Sequence, residues 1–151
     1  MLPPRLLLHL DEQQHEIQRV ARDFAHREIA PHAARWDRDR HFERSIVDKM
    51  GALGFLGMLI PTEYDGLGLD TATYLVALEE IATVDASVAV TVSVHNSLPT
   101  QMILRWGSPA QKEAFLKPMA RGEKLGVFAL SEPEAGSDAA SLTTQIGRAH
   151  V

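Results

Sequence analysis

Residues 87–94 read Ser-Val-Ala-Val-Thr-Val-Ser-Val, and a strand or a helix at this place makes two different molecules. Valine recurs at 88, 90, 92 and 94. Alternation and β-branching taken alone favour a strand with one buried face. Small residues fill the intervening positions, so a wholly buried helix is equally open, and the stretch by itself leaves both. The flanking sequence leans helical. Upstream, Asp70 is placed to cap a helix running to about Thr83 that buries Leu75, Leu78, Ile81 and Ala82. Downstream, Ser108-Pro109-Ala110-Gln111 is a helix start: Ser108 caps, Pro109 suits the first turn because its missing N–H had no partner there, and Gln111 completes a capping box. That helix is expected to end near Lys117, before Pro118.

Farther out, Asp11 with Gln14 forms a second capping box, and Ile17, Val20, Ala21, Phe24, Ala25 and Ile29 follow at spacings of three and four. Pro31 disfavours helix at Ala30, so a break or kink is expected there. A helix over Glu43–Leu53 should turn Ile46, Val47, Met50 and Leu53 inward and stop at Gly54. Phe55–Tyr64 reads as an extended apolar segment and Tyr64–Asp70 as a glycine-punctuated turn. After Arg121-Gly122 the texture changes, and Lys124–Leu130, short and apolar, reads as a strand. The expected fold class is therefore mainly α, with something β-like beginning after residue 123.

The chain has 151 residues, 15 Lys+Arg against 20 Asp+Glu, a formal net charge of −5 and no cysteine. Disulfide scaffolds, thiolate metal sites and thiol nucleophiles are excluded. The acidic balance argues against nucleic acid as a partner, and no apolar run approaches the ~20 residues of a membrane span. Met1–Leu10 lacks the features of a secretory or organelle leader and reads as a loose segment before the first helix, so a cytoplasmic address is expected. The seven histidines show no metal-ligand spacing and read as surface or capping residues. Glu79 and Glu80, adjacent on a helix, point about 100° apart and cannot face each other as an acid/base pair. Gly66-x-Gly68 is no dinucleotide fingerprint.

Leu130-Ser131-Glu132-Pro133-Glu134-Ala135-Gly136-Ser137-Asp138 stands apart. Hydroxyls, a glycine and exposed backbone N–H groups gather at the end of a strand-like segment. Such a loop suits the polar edge of a ligand, because several fixed donors can converge there. On residue chemistry alone it could equally be a surface turn.

Ala129-Leu130-Ser131-Glu132-x-x-Ala135-Gly136-Ser137-Asp138-x-x-Ser141 resembles the first signature of the acyl-CoA dehydrogenases. The resemblance extends in family order through Asp23-Phe24-Ala25, Glu28-Ile29-Ala30-Pro31, Gly51–Gly57, Pro61–Asp70, Glu79–Ala82, Ser93–Leu98, Ile103–Gly107, Gln111-Lys112 and Gly122–Lys124, covering about Asp11 to Thr144. Leu-Ser-Glu-Pro at 130–133 is similar to the short-chain and branched-chain members, whereas Glu134 stands where many members have glycine.

The resemblance implies an N-terminal helical domain over 1–123, the start of a middle β-domain over 124–145, and a non-native tail at 146–151, where Ile-Gly-Arg-Ala-His-Val is also what one frame of a sequencing adapter encodes. It places a helix at Ser87–Val94. It implies FAD held by Phe128, Ala129, Leu130, Ser131, Glu132, Pro133, Glu134, Ala135, Gly136 and Ser137, with Ser131 facing the flavin pyrimidine edge and Ser137 contacting acyl-CoA. The implied activity is α,β-dehydrogenation of a short- or branched-chain acyl-CoA to the 2-enoyl-CoA in fatty acid β-oxidation. The implied partners are an electron-transferring flavoprotein and further copies in a homotetramer, in a bacterial cytoplasm. The catalytic glutamate is expected in an absent C-terminal domain, so the fragment alone is expected to be inactive. An acyl-CoA oxidase or flavin monooxygenase of the same superfamily and a non-enzymatic helical binding module are the alternatives.

Overall fold

The computed structural model describes residues 9–144; the expected tail at 146–151 and most of the N-terminal leader lie outside them. Seven α-helices follow one another among the described residues: α1 Glu12–Phe24, α2 Ala30–Asp39, α3 Ser45–Ala52, α4 Thr71–Ala82, α5 Ala86–Ser97, α6 Pro99–Trp106 and α7 Pro109–Ala120. Residues 87–94 lie in α5. Asp85 initiates it, accepting from the backbone N–H of Ser87 at 2.8 Å and of Val88 at 3.0 Å. Val88, Ala89, Val92, His95 and Asn96 then share the buried face. Val90 points outward, 59% exposed, so the helix is not wholly buried. Tertiary packing has overridden the valine alternation.

Both capping boxes form, at Asp11/Gln14 and at Ser108/Gln111, and Asp70 caps α4 through the N–H of Thr73. The core gathers Phe24 and Ile29 with Val47 and Met50 of α3, Leu56 and Met58, Tyr74 and Ile81 of α4, and Val88 and Val92 of α5. Phe24 meets Phe55 edge to face, with ring centroids 5.5 Å apart. Across the α1–α4 seam, Arg22 holds Glu80 with two bonds of 2.9 and 2.7 Å, and Gln18 donates to the same carboxylate at 2.9 Å.

Several expectations from the sequence are corrected. The chain neither stops nor kinks apart at Pro31; it passes from α1 through a π-turn, Ala25–Ile29, into α2. The N–H of Ala30 reaches back to the carbonyl of Ala25, a wider turn that accommodates a proline at the start of α2. Leu53 and Leu75, expected inward, are 44% and 52% exposed, and Ala82 is exposed as well. On α4 the core side is taken by Thr73, Tyr74, Val76, Ala77 and Ile81 instead.

Phe55–Tyr64 is a succession of tight turns rather than an extended segment. The N–H of Gly57 reaches the carbonyl of Gly54 at 3.0 Å and that of Ile60 the carbonyl of Gly57 at 3.1 Å, while the N–H groups of Leu67, Gly68 and Leu69 reach the carbonyls of Gly57, Ile60 and Met58 at 2.8 Å. Helix α7 does not end at Lys117 but continues through Pro118 to Ala120. Burial of Leu116, Met119 and Ala120 offsets the hydrogen bond that Pro118 cannot donate. Residues 124–130 form no ladder, and no strand is present among the described residues. A strand needs a partner to satisfy its backbone, and none lies alongside.

Candidate functional site

The segment that carries the candidate loop leaves α7 through a close approach. An added Cβ on Gly51 would meet the carbonyl oxygen of Arg121 at 2.3 Å, and Gly122 turns there with φ +79°, so only glycines let α3 and the end of α7 touch. Arg121 fixes this corner, pairing with Asp65 at 2.6 Å and with Glu123 at 2.6 Å.

His95 holds the next stretch. Its ring is fully buried, with Nε2 at 3.2 Å from the carbonyl oxygen of Met119 and Nδ1 accepting from the N–H of Gly126 at 3.0 Å. A backbone N–H can only donate, so Nδ1 is bare and Nε2 carries the proton that it donates to Met119. Burial pushes the imidazole below its ordinary value, and the backbone groups of Met119 and Leu56 act the other way. Gly126 is required at this approach: a Cβ would meet the Met119 side chain at 2.4 Å and Pro99 at 2.6 Å. The expectation of surface or capping histidines is corrected for His95. The only available signal was a histidine and an asparagine inside an apolar helix, at His95-Asn96.

Beyond Gly126 the chain reaches solvent. Val127, Phe128 and Leu130 are exposed at 74%, 41% and 41%. Glu132 and Ala135 exchange two backbone bonds of 2.9 and 3.1 Å, closing a tight turn over Pro133 and Glu134. Ala135 is the buried member of the loop, at 1%. The Glu132 carboxylate accepts from the N–H and hydroxyl of Thr143 at 2.8 and 3.0 Å and from the N–H of Thr144 at 2.9 Å. These donors, with the Thr144 side chain contributing most, hold its pKa down to about 2. Asp138 caps a short 3-10 turn at Ala139–Ser141, accepting from the Ser141 hydroxyl at 2.6 Å and the N–H of Ala140 at 3.2 Å.

The two carboxylates are thus engaged by the residues that follow the loop, Ala140 to Thr144. The hydroxyls of Ser131 and Ser137 are exposed and make no hydrogen bond among the described residues. Around Gly136 an added Cβ would meet nothing within 4 Å, so that side of the loop is open. The structure brings Ser131 through Ser137 together in one turn, while Phe128, Ala129 and Leu130 lead into it. No cluster of metal-ligating side chains occurs among the described residues, and no helix there is long and apolar enough to cross a membrane.

Residues 11–123 match the family described as acyl-CoA dehydrogenase, N-terminal domain. The chain belongs to the acyl-CoA dehydrogenase family. Its helical architecture is the N-terminal domain of that fold. It is 45% identical over 137 residues to the mitochondrial short-chain specific acyl-CoA dehydrogenase of Mus musculus, covering 91% of this chain and 33% of the mouse protein. It is 40% identical over 137 residues to an acyl-CoA dehydrogenase of Bacillus subtilis, covering 91% of this chain and 36% of that one.

Among solved structures, a chain of one described as "Electron transferring flavoprotein of Acidaminococcus fermentans: Towards a mechanism of flavin-based electron bifurcation" superposes with TM-score 0.85 at 39% identity, over 89% of this chain and 35% of the other. A glutaryl-CoA dehydrogenase of Mycobacterium smegmatis in complex with FADH2 superposes with TM-score 0.85 at 31% identity, over 89% and 35%. The chain spans about a third of the length of these relatives.

Proposed function

We propose that these residues are the N-terminal part of an FAD-dependent acyl-CoA dehydrogenase that converts a short- or branched-chain acyl-CoA to its 2-enoyl-CoA. The observation that carries the reading is the loop at 130–138, where Glu132 and Asp138 are bonded by residues 140–144 while the Ser131 and Ser137 hydroxyls stay exposed and, among the described residues, unengaged. Those free donors, beside the exposed apolar faces of Phe128 and Leu130, fit the polar rim and flat body of a flavin. FAD, when bound, accepts the hydride that leaves the β-carbon of the acyl group.

Phe128 through Ser137 line the flavin in this reading. The Ser131 hydroxyl donates to the pyrimidine edge and stabilises negative charge that develops there. Ser137 donates to the acyl-CoA. Glu132 works through the backbone: by gathering Thr143 and Thr144 it fixes the turn from which Ser131 projects. None of the acidic residues here abstracts the α-proton; that carboxylate belongs to the C-terminal part of the full-length enzyme. The same reading carries a homotetramer in a bacterial cytoplasm, with an electron-transferring flavoprotein as acceptor.

The test is anaerobic addition of butyryl-CoA to the chain completed to the length of its relatives and loaded with FAD. Loss of the flavin's visible absorbance together with appearance of the 2-enoyl-CoA is expected. A completed chain that binds no flavin, or whose flavin is untouched by short and branched acyl-CoAs alike, overturns the reading.

A further inference from the structure

The link between the helical core and the loop passes through one titratable group that the proposed reaction does not use. Among the described residues, His95 on α5 is the only side chain that bonds Gly126, and the same ring holds the carbonyl of Met119 at the end of α7. We propose that His95 is a protonation-sensitive clamp: as the neutral ring with Nε2 protonated it fastens the segment leading into the Phe128–Ser137 loop onto α7, and a second proton, on Nδ1, undoes that bond.

The chemistry admits no compromise at this atom. Nδ1 can accept from Gly126 only while it is bare; once protonated it confronts a second donor at 3.0 Å. Gly126 lies against the Met119 side chain and Pro99 with no room for a Cβ between, so the backbone is held close to the ring. The remaining surroundings are uncharged. Leu56 on the 55–60 turns and Met119 on α7 face the ring through backbone atoms. The charged side chains of the neighbouring elements are engaged elsewhere: Lys117 with Glu113, Arg121 with Asp65 and Glu123, and Lys124 over the Phe115 ring. No carboxylate is therefore at hand to shelter an imidazolium, and burial works against one. Relief comes by letting go of Gly126, which opens the segment toward solvent where Val127 already lies.

The clamp itself stands on the helical domain; only its consequence for a bound flavin rests on the function proposed above. The experiment accordingly contains no flavin. In the 151-residue chain, proton–nitrogen NMR of the imidazole and amide hydrogen exchange are followed from neutral to mildly acid pH, with exchange corrected for the intrinsic rate. Nδ1 is expected bare and Nε2 protonated. As pH falls below the ordinary 6.5 toward the lowered value of the buried ring, protection of the Gly126 amide should fall by up to about tenfold per pH unit, the slope of a single coupled proton, and level off once the clamped ring itself titrates, while the Val92 and Leu116 amides keep theirs.

His95→Gln offers one acceptor and one donor without titrating, and should make Gly126 protection independent of pH. Protonated Nδ1 at neutral pH, constant Gly126 protection in the wild type, loss in step with Val92 and Leu116, or an unchanged pH profile in His95→Gln would each overturn the clamp. If the variant does not fold, the wild-type spectra and pH profile decide it alone.

Discussion

The side-chain amide of Asn96 donates to the carbonyl oxygen of Phe55 at 2.9 Å, joining α5 to the turn that precedes the buried Leu56 and Met58. The same amide donates to Val92 at 3.0 Å, and its oxygen accepts from the N–H of Leu59 at 3.4 Å. The side chain is fully buried, so each bond replaces one that water would otherwise make. A stretch with no regular hydrogen-bond ladder of its own is thus satisfied from a neighbouring helix.

Asn96→Ala leaves the Phe55 carbonyl and the Leu59 N–H without these partners. One buried group orphaned costs about 1–3 kcal/mol, so a loss near the upper end of that range is expected. Urea unfolding of the chain measures it. The control is Ser97→Ala, one residue along but exposed, its hydroxyl bonded only to the carbonyl of Ser93; it should change stability little.

Glu80 should make the α1–α4 seam pH-sensitive. The hydrogen bonds from Arg22 hold its carboxyl below the ordinary 4.5, with Gln18 adding to the effect and partial burial opposing it. A depressed carboxylate stabilises the folded state above its unfolded value and loses that contribution as pH falls through the folded one. Wild-type stability is therefore expected to decline below about pH 4.5 more steeply than that of Glu80→Gln. At neutral pH the variant should lose about 1 kcal/mol or less, because Arg22 is half in water. Equal slopes in acid would show that the seam does not titrate.

Which parts of this architecture were legible beforehand follows from the range of the forces involved. The caps at Asp11, Asp70 and Ser108 act within a turn, and sequence spacing locates them. The valine run at 88–94 could not be resolved locally; family resemblance placed a helix there, and the cap at Asp85 with the packing of Val88 and Val92 explains it. The outward turn of Leu75 depends on which side of α4 meets α1, a tertiary fact. The strand expected at 124–130 does not form for want of a partner strand, and the role of His95 is not local in the sequence because its partners, Met119 and Gly126, lie 24 and 31 residues away. The loop at 130–138 was visible as a motif, but the division of labour between its engaged carboxylates and free hydroxyls needed coordinates.

Pro118 is a local flaw tolerated by the packing around it. It removes the bond that residue 118 would donate to Ala114 in the interior of α7, while its own carbonyl accepts from Glu123 at 2.9 Å and Lys124 at 3.2 Å. Pro118→Ala restores the donor and leaves the carbonyl. An interior proline costs ~3 kcal/mol, and part of that is returned by the stiffer unfolded chain, so the variant is expected to gain about 1–2 kcal/mol. A chain that melts at lower temperature than the wild type would mean that the proline ring packs better than its lost hydrogen bond costs.

The two free hydroxyls of the loop should separate in their effects. In the chain completed to the length of its relatives, Ser131→Ala removes a donor from the proposed flavin edge. One lost hydrogen bond of this kind is worth about 0.5–1.5 kcal/mol, so flavin affinity or reduction rate should drop by roughly three- to tenfold. Ser137→Ala should instead raise the apparent constant for acyl-CoA while the purified protein keeps its flavin. Both substitutions leave the internal bonds of Glu132 and Asp138 in place, so the turn itself should hold. Flavin content, reduction rate and substrate dependence, measured side by side, distinguish the roles. If Ser131→Ala matches the wild type in all three, or Ser137→Ala is purified without flavin yet binds acyl-CoA normally, the assignment of the two serines is wrong.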